Sequence, residues 1–150
     1  MTINIYSSSS DQTEKIGEQI GLCLKGGEVV DLKSDLGGGK TTIVRGMVKG
    51  AGSTDKVASP SFTISRVYKT DKLKIHHFDF YRLTEPGLMS HHLKDVLADP
   101  KASTMVEWSD IVSEELPKDR LSINIRVKDD DSRELIFNYP KSLAYLVGRL

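Results

Sequence analysis

The spacing of apolar residues changes period several times along this chain, and each change predicts an element. Residues 2–6 alternate apolar with polar side chains, the period-two pattern of an edge strand. After the serines at 7–10, Ile16, Ile20 and Cys23 or Leu24 recur at helical spacing. A late serine or Asp11 can cap that helix and Gly26-Gly27 ends it, although a flexible, solvated loop is the plainer reading of the serine run itself. Residues 28–33 carry Val29, Val30 and Leu32, an apolar, partly β-branched run that predicts a short buried strand. Residues 34–39 form a glycine-rich turn, residues 40–48 begin an amphipathic helix, and Gly50-Ala51-Gly52-Ser53 stops it.

Further on, Phe62, Ile64, Arg66 and Tyr68 alternate with Thr63, Ser65 and Val67, predicting a strand entered through the loop at 58–61. A second strand at 73–79 follows the turn at 70–72, so the two make a hairpin. Residues 83–97 read as partly helical, with Leu88, His92 and Val96 at i, i+4 and i+8. Residues 103–107 predict a short strand, and 111–116 a helical turn or two stopped by Pro117. Alternation of Leu121, Ile123, Ile125 and Val127, then Leu135 and Phe137, gives a second hairpin about the turn at 128–132. Residues 139–150 end in a short helix carrying Leu143, Leu146 and Val147. Hairpins join antiparallel strands, so the sheet is not purely parallel.

The chemistry concentrates at 28–49. A strand, a glycine-rich turn and a helix start gather backbone N–H groups and the positive end of a helix dipole at one point, where phosphates bind. The phosphate-binding P-loop pattern is G-x-x-x-x-G-K-[ST]; Gly39-Lys40-Thr41 matches its last three positions, and Ser34 stands where the first glycine belongs. Lys40 would reach the β/γ-phosphates and the Thr41 hydroxyl would ligate Mg²⁺. The alternative is a glycine-rich turn with a chance lysine. Two carboxylates, Asp79 and Glu107, end apolar strands and so can lie beside the P-loop at the carboxyl edge of the sheet. The alternative for each is a solvated strand-end acid.

Composition narrows this only a little. At 150 residues the chain has the size of one domain, and its 21 basic and 21 acidic side chains balance, which gives no support to nucleic-acid binding through a strongly basic surface. The single cysteine, Cys23, excludes disulfide and thiolate-metal frameworks. No run reaches membrane-spanning length and the N-terminus does not resemble a secretory signal, so a cytoplasmic location is expected. The histidines pair as His76-His77 and His91-His92; neighbours on a strand face opposite ways and cannot chelate one ion, so packing and hydrogen bonding is their expected role. No guanine-reading Asn-Lys-x-Asp sequence occurs, which favours adenine.

Four motifs then combine in order: Asp35-Leu36-Gly37-Gly38-Gly39-Lys40-Thr41-Thr42, Ser59-Pro60-Ser61-Phe62-Thr63, His77-Phe78-Asp79-Phe80-Tyr81-Arg82 and Val106-Glu107-Trp108. In that order and spacing the chain resembles the bacterial TsaE (YjeE) family, small ATPases of the threonylcarbamoyladenosine modification of tRNA position 37. The resemblance, from about Ser10 to Arg133, implies an α/β P-loop NTPase fold: a central, mostly parallel sheet with antiparallel flanking strands and hairpins. It implies nucleotide contacts from Ser10, from Asp35, Leu36, Gly37, Gly38, Gly39, Lys40, Thr41 and Thr42, and from Arg133. It assigns Thr41 and Glu107 to a magnesium site with Asp79 nearby as the Walker-B-like acid, and makes residues 59–63 a switch-like loop near the γ-phosphate. Tyr81 and Arg82 receive no role.

Two departures stand out. Ser34 replaces the family's usual glycine, and after Arg82 this chain reads LTEPGLMSHHLKDVLADP where the family carries acidic residues and a glycine. The reading that follows is an ATP-binding, weakly hydrolysing component acting with TsaB and TsaD, with Lys40, Asp79 and Glu107 as the catalytic set and ATP and Mg²⁺ as cofactors. It would meet tRNA only through the complex, and neither membrane nor DNA. Its rivals are a small P-loop kinase of a nucleoside or metabolite, which needs clustered lid arginines, and a non-hydrolysing nucleotide-sensing module.

Overall fold

Val29–Lys33 forms strand β2, buried over all but its last residue, at the middle of a seven-stranded sheet. In the computed structural model, which describes residues 1–150, β2 is preceded by β1 (Thr2–Ser7) and α1 (Ser10–Gly21) and followed by α2 (Lys40–Gly50). Then come β3 (Ser65–Lys69), β4 (Lys74–Asp79), α3 (Gly87–Leu97), β5 (Ala102–Glu107), β6 (Leu121–Val127) and β7 (Arg133–Asn138), with 3-10 helices at Ser109–Val112 and Lys141–Leu146. The sheet order is β1-β7-β6-β2-β5-β4-β3. Its centre, β6-β2-β5-β4, is parallel, while β3 on one flank and β7 and β1 on the other are antiparallel. Both expected hairpins and the expected edge strand are present. No helix is long and apolar enough to cross a membrane.

Alternation along the strands sorts the core onto two faces. Val30 and Leu32 of β2, Ile75 of β4 and Met105 of β5 pack under α1 and α2 with Ile20, Ile43 and Met47. Val29, Phe78 and Val106 point the other way, against Leu93 and Val96 of α3, Val112 at the end of the first 3-10 helix and Leu116 beyond it. Since side chains alternate, His77 and Asp79 share the face of Ile75, and Glu107 that of Met105. All three therefore lie on the side of α2.

α1 and α2 meet backbone to backbone through four glycines. A Cβ built on Gly17 or Gly21 would come within 2.3 or 2.1 Å of the carbonyl oxygens of Ile43 and Met47. One on Gly46 or Gly50 would come within 2.0 or 2.1 Å of those of Glu14 and Glu18. Each helix thus presents glycines four residues apart to the other, and Arg45–Glu14 and Lys49–Glu18 ion pairs flank the seam.

Four sequence expectations change in detail. α1 stops at Gly21, capped by Leu22, and tighter i−3 hydrogen bonds carry Cys23 and Leu24 out of the helix. β3 starts at Ser65 because Ile64 takes a left-handed backbone (φ 67°) that breaks the strand, leaving Phe62 in a turn and 82% exposed. α3 begins only at Gly87 and buries Ser90, Leu93 and Val96; Leu88 falls on the outer side of its first turn and is 85% exposed, so the stripe through Leu88 and His92 is not the buried one. The helical turns expected at 111–116 and 139–150 are the 3-10 segments at Ser109–Val112 and Lys141–Leu146. The serine run is ordered: Ser9 caps α1 by accepting from the Gln12 amide, and the buried Ser7 hydroxyl lies 2.7 Å from that of Thr13.

At the end of the sheet opposite the glycine-rich turn, the buried Glu28 ties three segments together. Its carboxylate accepts from the amides of Lys25 and Gly26 (2.7 and 2.9 Å) and from the hydroxyls of Ser103 and Tyr145 (both 2.7 Å). Burial pushes the Glu28 pKa up, but the bonds from Ser103, Tyr145 and the Lys25 amide outweigh it, and the net shift is downward.

Two stability measurements check these packing arguments. Gly46→Ala gains about 1 kcal/mol of helix propensity but forces α1 and α2 apart, and should lose stability overall by about 2 kcal/mol or more in urea denaturation. Glu28→Gln should cost about 1–3 kcal/mol at neutral pH, because amide hydrogens then face donors. A lowered folded pKa means that the Glu28 stabilisation is complete above the unfolded value of about 4.5 and is lost as the pH falls through the folded one. The gap between parent and variant should therefore close in acid.

Candidate functional site

The turn between β2 and α2 wraps one wall of a cavity of about 250 Å³ at the carboxyl edge of the parallel strands. Leu36, Gly37, Gly38, Gly39, Lys40, Thr41 and Thr42 line that wall, Ser59 and Ser61 a second, and Asp79, Glu107 and Trp108 the floor and far side. Gly37 and Gly39 have φ of 74° and 104°, left-handed values that strain any residue with a Cβ, and Gly39 is the N-cap of α2. The amides of the first turn of α2 and the positive end of its dipole therefore open onto the cavity.

Asp79 and Glu107 are register partners at the ends of β4 and β5, and Leu32, the register partner of Glu107 on β2, is followed by Lys33 and the turn. Both acids are 3% exposed, so the solvated strand-end reading does not apply. Asp79 accepts from Ser61 Oγ on Oδ2 and from the Tyr81 amide on Oδ1, both at 2.9 Å. Glu107 Oε1 lies 2.8 Å from His77 Nε2.

Lys40 is 6% exposed and curls along its own loop. Its ammonium donates to the carbonyls of Ser34 and Asp35 (3.0 and 3.2 Å) and to Ser34 Oγ (3.1 Å), and lies 4.8 Å from the centre of the Trp108 ring. Burial pulls its pKa below the ordinary lysine value, and the carboxylates of Glu107, Asp79 and Asp35 pull the other way. Ser34 fits at the first glycine position because Gly38 is opposite: a Cβ there would sit 2.2 Å from Ser34 Oγ.

Arg133 of β7 donates from Nε to the Gly38 carbonyl (3.3 Å) and so reaches the loop from the far flank of the sheet. Ser10 does not line the cavity; it opens α1, three residues after Ser7, the cross-strand partner of Arg133. Asp35 supplies a backbone acceptor to Lys40 and Gly38.

The structure also brings in residues to which the sequence assigned no role. Trp108 has a left-handed backbone (φ 53°) that turns the chain at the end of β5 and puts its ring beside Lys40. Tyr81 packs on it with ring centres 4.9 Å apart, and Arg82 lies 4.2 Å from the centre of the Phe62 ring, bracing the 59–63 loop. Beneath, Asp31 accepts from Ser109 Oγ (2.7 Å) and Arg120 Nε (3.2 Å) and anchors the segment after Trp108. Their adjacency to the acids in the motifs was the one available signal. His77 was legible as a packing and hydrogen-bonding residue, but its partner, thirty positions away, was not.

No three His, Cys, Asp or Glu side chains converge on one point. Two carboxylates and the Thr41 hydroxyl beside an anion-binding loop are hard oxygen donors in the number that suits Mg²⁺ shared with phosphate oxygens, rather than a protein-only cage.

Comparison with known proteins identifies the family. The family model described as Threonylcarbamoyl adenosine biosynthesis protein TsaE matches residues 7–135. Proteins named tRNA threonylcarbamoyladenosine biosynthesis protein TsaE are similar to the chain: that of Bacillus subtilis is 37% identical over 131 residues (85% of this chain, 79% of the relative), and that of Treponema pallidum 33% over 129 residues (86% and 95%). The crystal structure of Bacillus subtilis YdiB superposes with a TM-score of 0.81 at 30% identity, covering 99% of this chain and 93% of that one.

The Ser34–Gly38 fit can be tested without any ligand. Gly38→Ala should destabilise the chain by about 1–3 kcal/mol, and Ser34→Gly in the same molecule should restore much of that loss. Additive effects in a double-mutant cycle would show that the two positions do not touch.

Proposed function

The chain belongs to the TsaE family of threonylcarbamoyl adenosine biosynthesis proteins, and from that membership we propose that it is a magnesium-dependent ATPase acting with TsaB and TsaD. The observation that carries the reading is the convergence of the α2 N-terminus, Lys40, Thr41, Asp79 and Glu107 on one cavity. Amides at 37–41 cradle the β-phosphate and Lys40 exchanges its carbonyl partners for phosphate oxygens. Thr41 and Glu107 would hold Mg²⁺, with Asp79 beside them, and the metal would supply charge neutralisation to the phosphates. Ser59 and Ser61 line the cavity wall that would face the γ-phosphate, and through the Ser61–Asp79 bond that loop would respond to it. Arg133 steadies the loop backbone.

The partner reading has its own support at the mouth of the cavity. Leu36 of the phosphate loop is 65% exposed, Phe62 of the 59–63 loop 82%, and Tyr81, packed on Trp108, nearly half, so three segments about the cavity leave apolar surface that supports an interaction site. The modification takes place on the partner, and tRNA is met through the complex. A balanced net charge fits a protein with no strongly basic nucleic-acid surface of its own. Against the kinase reading, Arg133 is the arginine that reaches the phosphate loop and Arg82 is engaged on Phe62, which leaves no cluster of lid arginines there.

ATP turnover measured alone, with TsaB and TsaD, and against a panel of nucleoside acceptors separates the readings. Partner-stimulated release of phosphate supports the proposal; transfer to an acceptor, or binding without turnover, overturns it. Lys40→Ala and Thr41→Ala should each lower turnover by about 10²-fold or more. Glu107→Gln keeps the volume and one acceptor but loses the charge opposing Mg²⁺, so hydrolysis should fall more than nucleotide affinity. If a magnesium titration shifts in Asp79→Asn and not in Glu107→Gln, the two acids have the opposite order. Ser34→Gly should bind nucleotide at least as well as the parent, because one competitor for the Lys40 ammonium is gone.

A further inference from the structure

His77 lies in the middle of β4 on the face covered by α2, with none of its surface exposed. A buried imidazole is retained cheaply only if both ring nitrogens find partners. Here one does: Nε2 is 2.8 Å from Glu107 Oε1, while Nδ1 is buried without any hydrogen-bond partner. A carboxylate oxygen accepts from Nε2–H, and Nδ1 is left without a partner in the core. An apolar side chain of similar volume would fill the same space beside Ile75 and Tyr68 and leave no nitrogen orphaned, losing only the bond to Glu107 Oε1. Packing therefore does not account for a histidine here, and the bond to Glu107 does.

That bond is made to a side chain with few other restraints. Glu107 ends β5, the backbone turns left-handed at Trp108 directly after it, and Oε1 is directed into the sheet by His77, which leaves Oε2 as the oxygen available to the cavity. Asp79 next to it is fixed differently, with one oxygen on Ser61 of the 59–63 loop and the other on the Tyr81 amide. So of the two acids, Glu107 is the one anchored from within the core.

We propose that His77 is a positioning residue for Glu107: its Nε2–H fixes the carboxylate so that Oε2 faces the cavity in a single orientation. The inference rests on the reading of Glu107 as the acid that serves the metal-nucleotide site. In hydrogen-bonded carboxylate ligands of this kind, loss of the outer partner lowers metal affinity or activity by about 10–100-fold.

The test compares His77→Met, which keeps the volume without a donor, with His77→Gln, whose amide nitrogen can reach the place of Nε2 and donate. Glu107→Gln is the control. Three quantities are read: thermal unfolding without ligands, ATP affinity without metal followed by the fluorescence of the single tryptophan, and the Mg²⁺ concentration that half-saturates binding and turnover. His77→Met exchanges the orphaned Nδ1 for an unpartnered Glu107 Oε1, so it should unfold close to the parent temperature and bind metal-free ATP within about twofold of the parent, yet need about 10-fold more Mg²⁺. His77→Gln should recover most of the magnesium dependence. Parent-like magnesium dependence in His77→Met, with a shift in Glu107→Gln, overturns the positioning role alone. Equal losses in Met and Gln variants accompanied by early unfolding would make His77 a structural residue and also overturn it. No shift in Glu107→Gln overturns the reading of Glu107 itself, and the positioning role with it.

Discussion

The position of the phosphate loop depends on how closely α1 can approach α2. Gly17 and Gly21 on one helix and Gly46 and Gly50 on the other remove every Cβ from the seam, so each backbone lies against carbonyl oxygens of its neighbour. Dispersion between two backbones in contact is short-ranged and stiff, and it allows one register only. The N-terminus of α2 is the end of this clamped rod. Ile43, Val44 and Met47 then press the rod onto β2, β5 and β6, so the amides that open onto the cavity are held by both helix and sheet.

The strands supply the second half of the site by parity. A period of two means that once Ile75 and Met105 are buried under α2, Asp79 and Glu107 must emerge on the same side at the strand ends. Parallel pairing of β4 with β5 sets those ends level, and pairing of β5 with β2 sets them beside the loop. His77 falls on the same face one step earlier on β4, which is why it can reach Glu107 diagonally across the pair. The acid pair, its histidine and the loop thus follow from one choice of sheet order.

Much of this was legible in the sequence. The hairpins, the buried β2 and the strand-turn-helix of the loop are local patterns, and local patterns survive folding. Asp79 and Glu107 could be nominated because strand ends in parallel sheets collect ligands, but the sequence left each of them equally readable as a solvated acid; only the register removes that choice. What was not legible is non-local or stereochemical. The His77–Glu107 contact spans thirty positions, Gly17, Gly21, Gly46 and Gly50 matter only as a facing set, and the left-handed turns at Ile64 and Trp108 occur in residues whose type argues against them. The misplaced stripe on α3 has a simple cause: Leu88 and His92 fit a helical period as well as Leu93 and Val96 do, and periodicity without a known start cannot choose between adjacent faces. Ser34 reads in the sequence as a defect of the loop, yet Gly38 leaves the space that its hydroxyl occupies.

The charges around the cavity set a final constraint on what it can hold. Lys40 is the cation that lines the cavity, and the carboxylates of Glu107, Asp79 and Asp35 oppose the lowering of its pKa by burial without cancelling it. A polyphosphate entering alone would gain the α2 amides and Lys40 but meet Asp79 and Glu107 at close range in a partly dry site, where like charges repel most strongly. A divalent cation entering alone would find two acids in an orientation set by His77 and Ser61, but too few ligands to complete its shell. Each makes the other favourable: the cation converts the acids from repulsive to attractive, and the phosphates supply the missing oxygens. On the proposed reading the electrostatics would favour the metal-nucleotide pair over either component, and the preference would rest on the acids rather than on the loop.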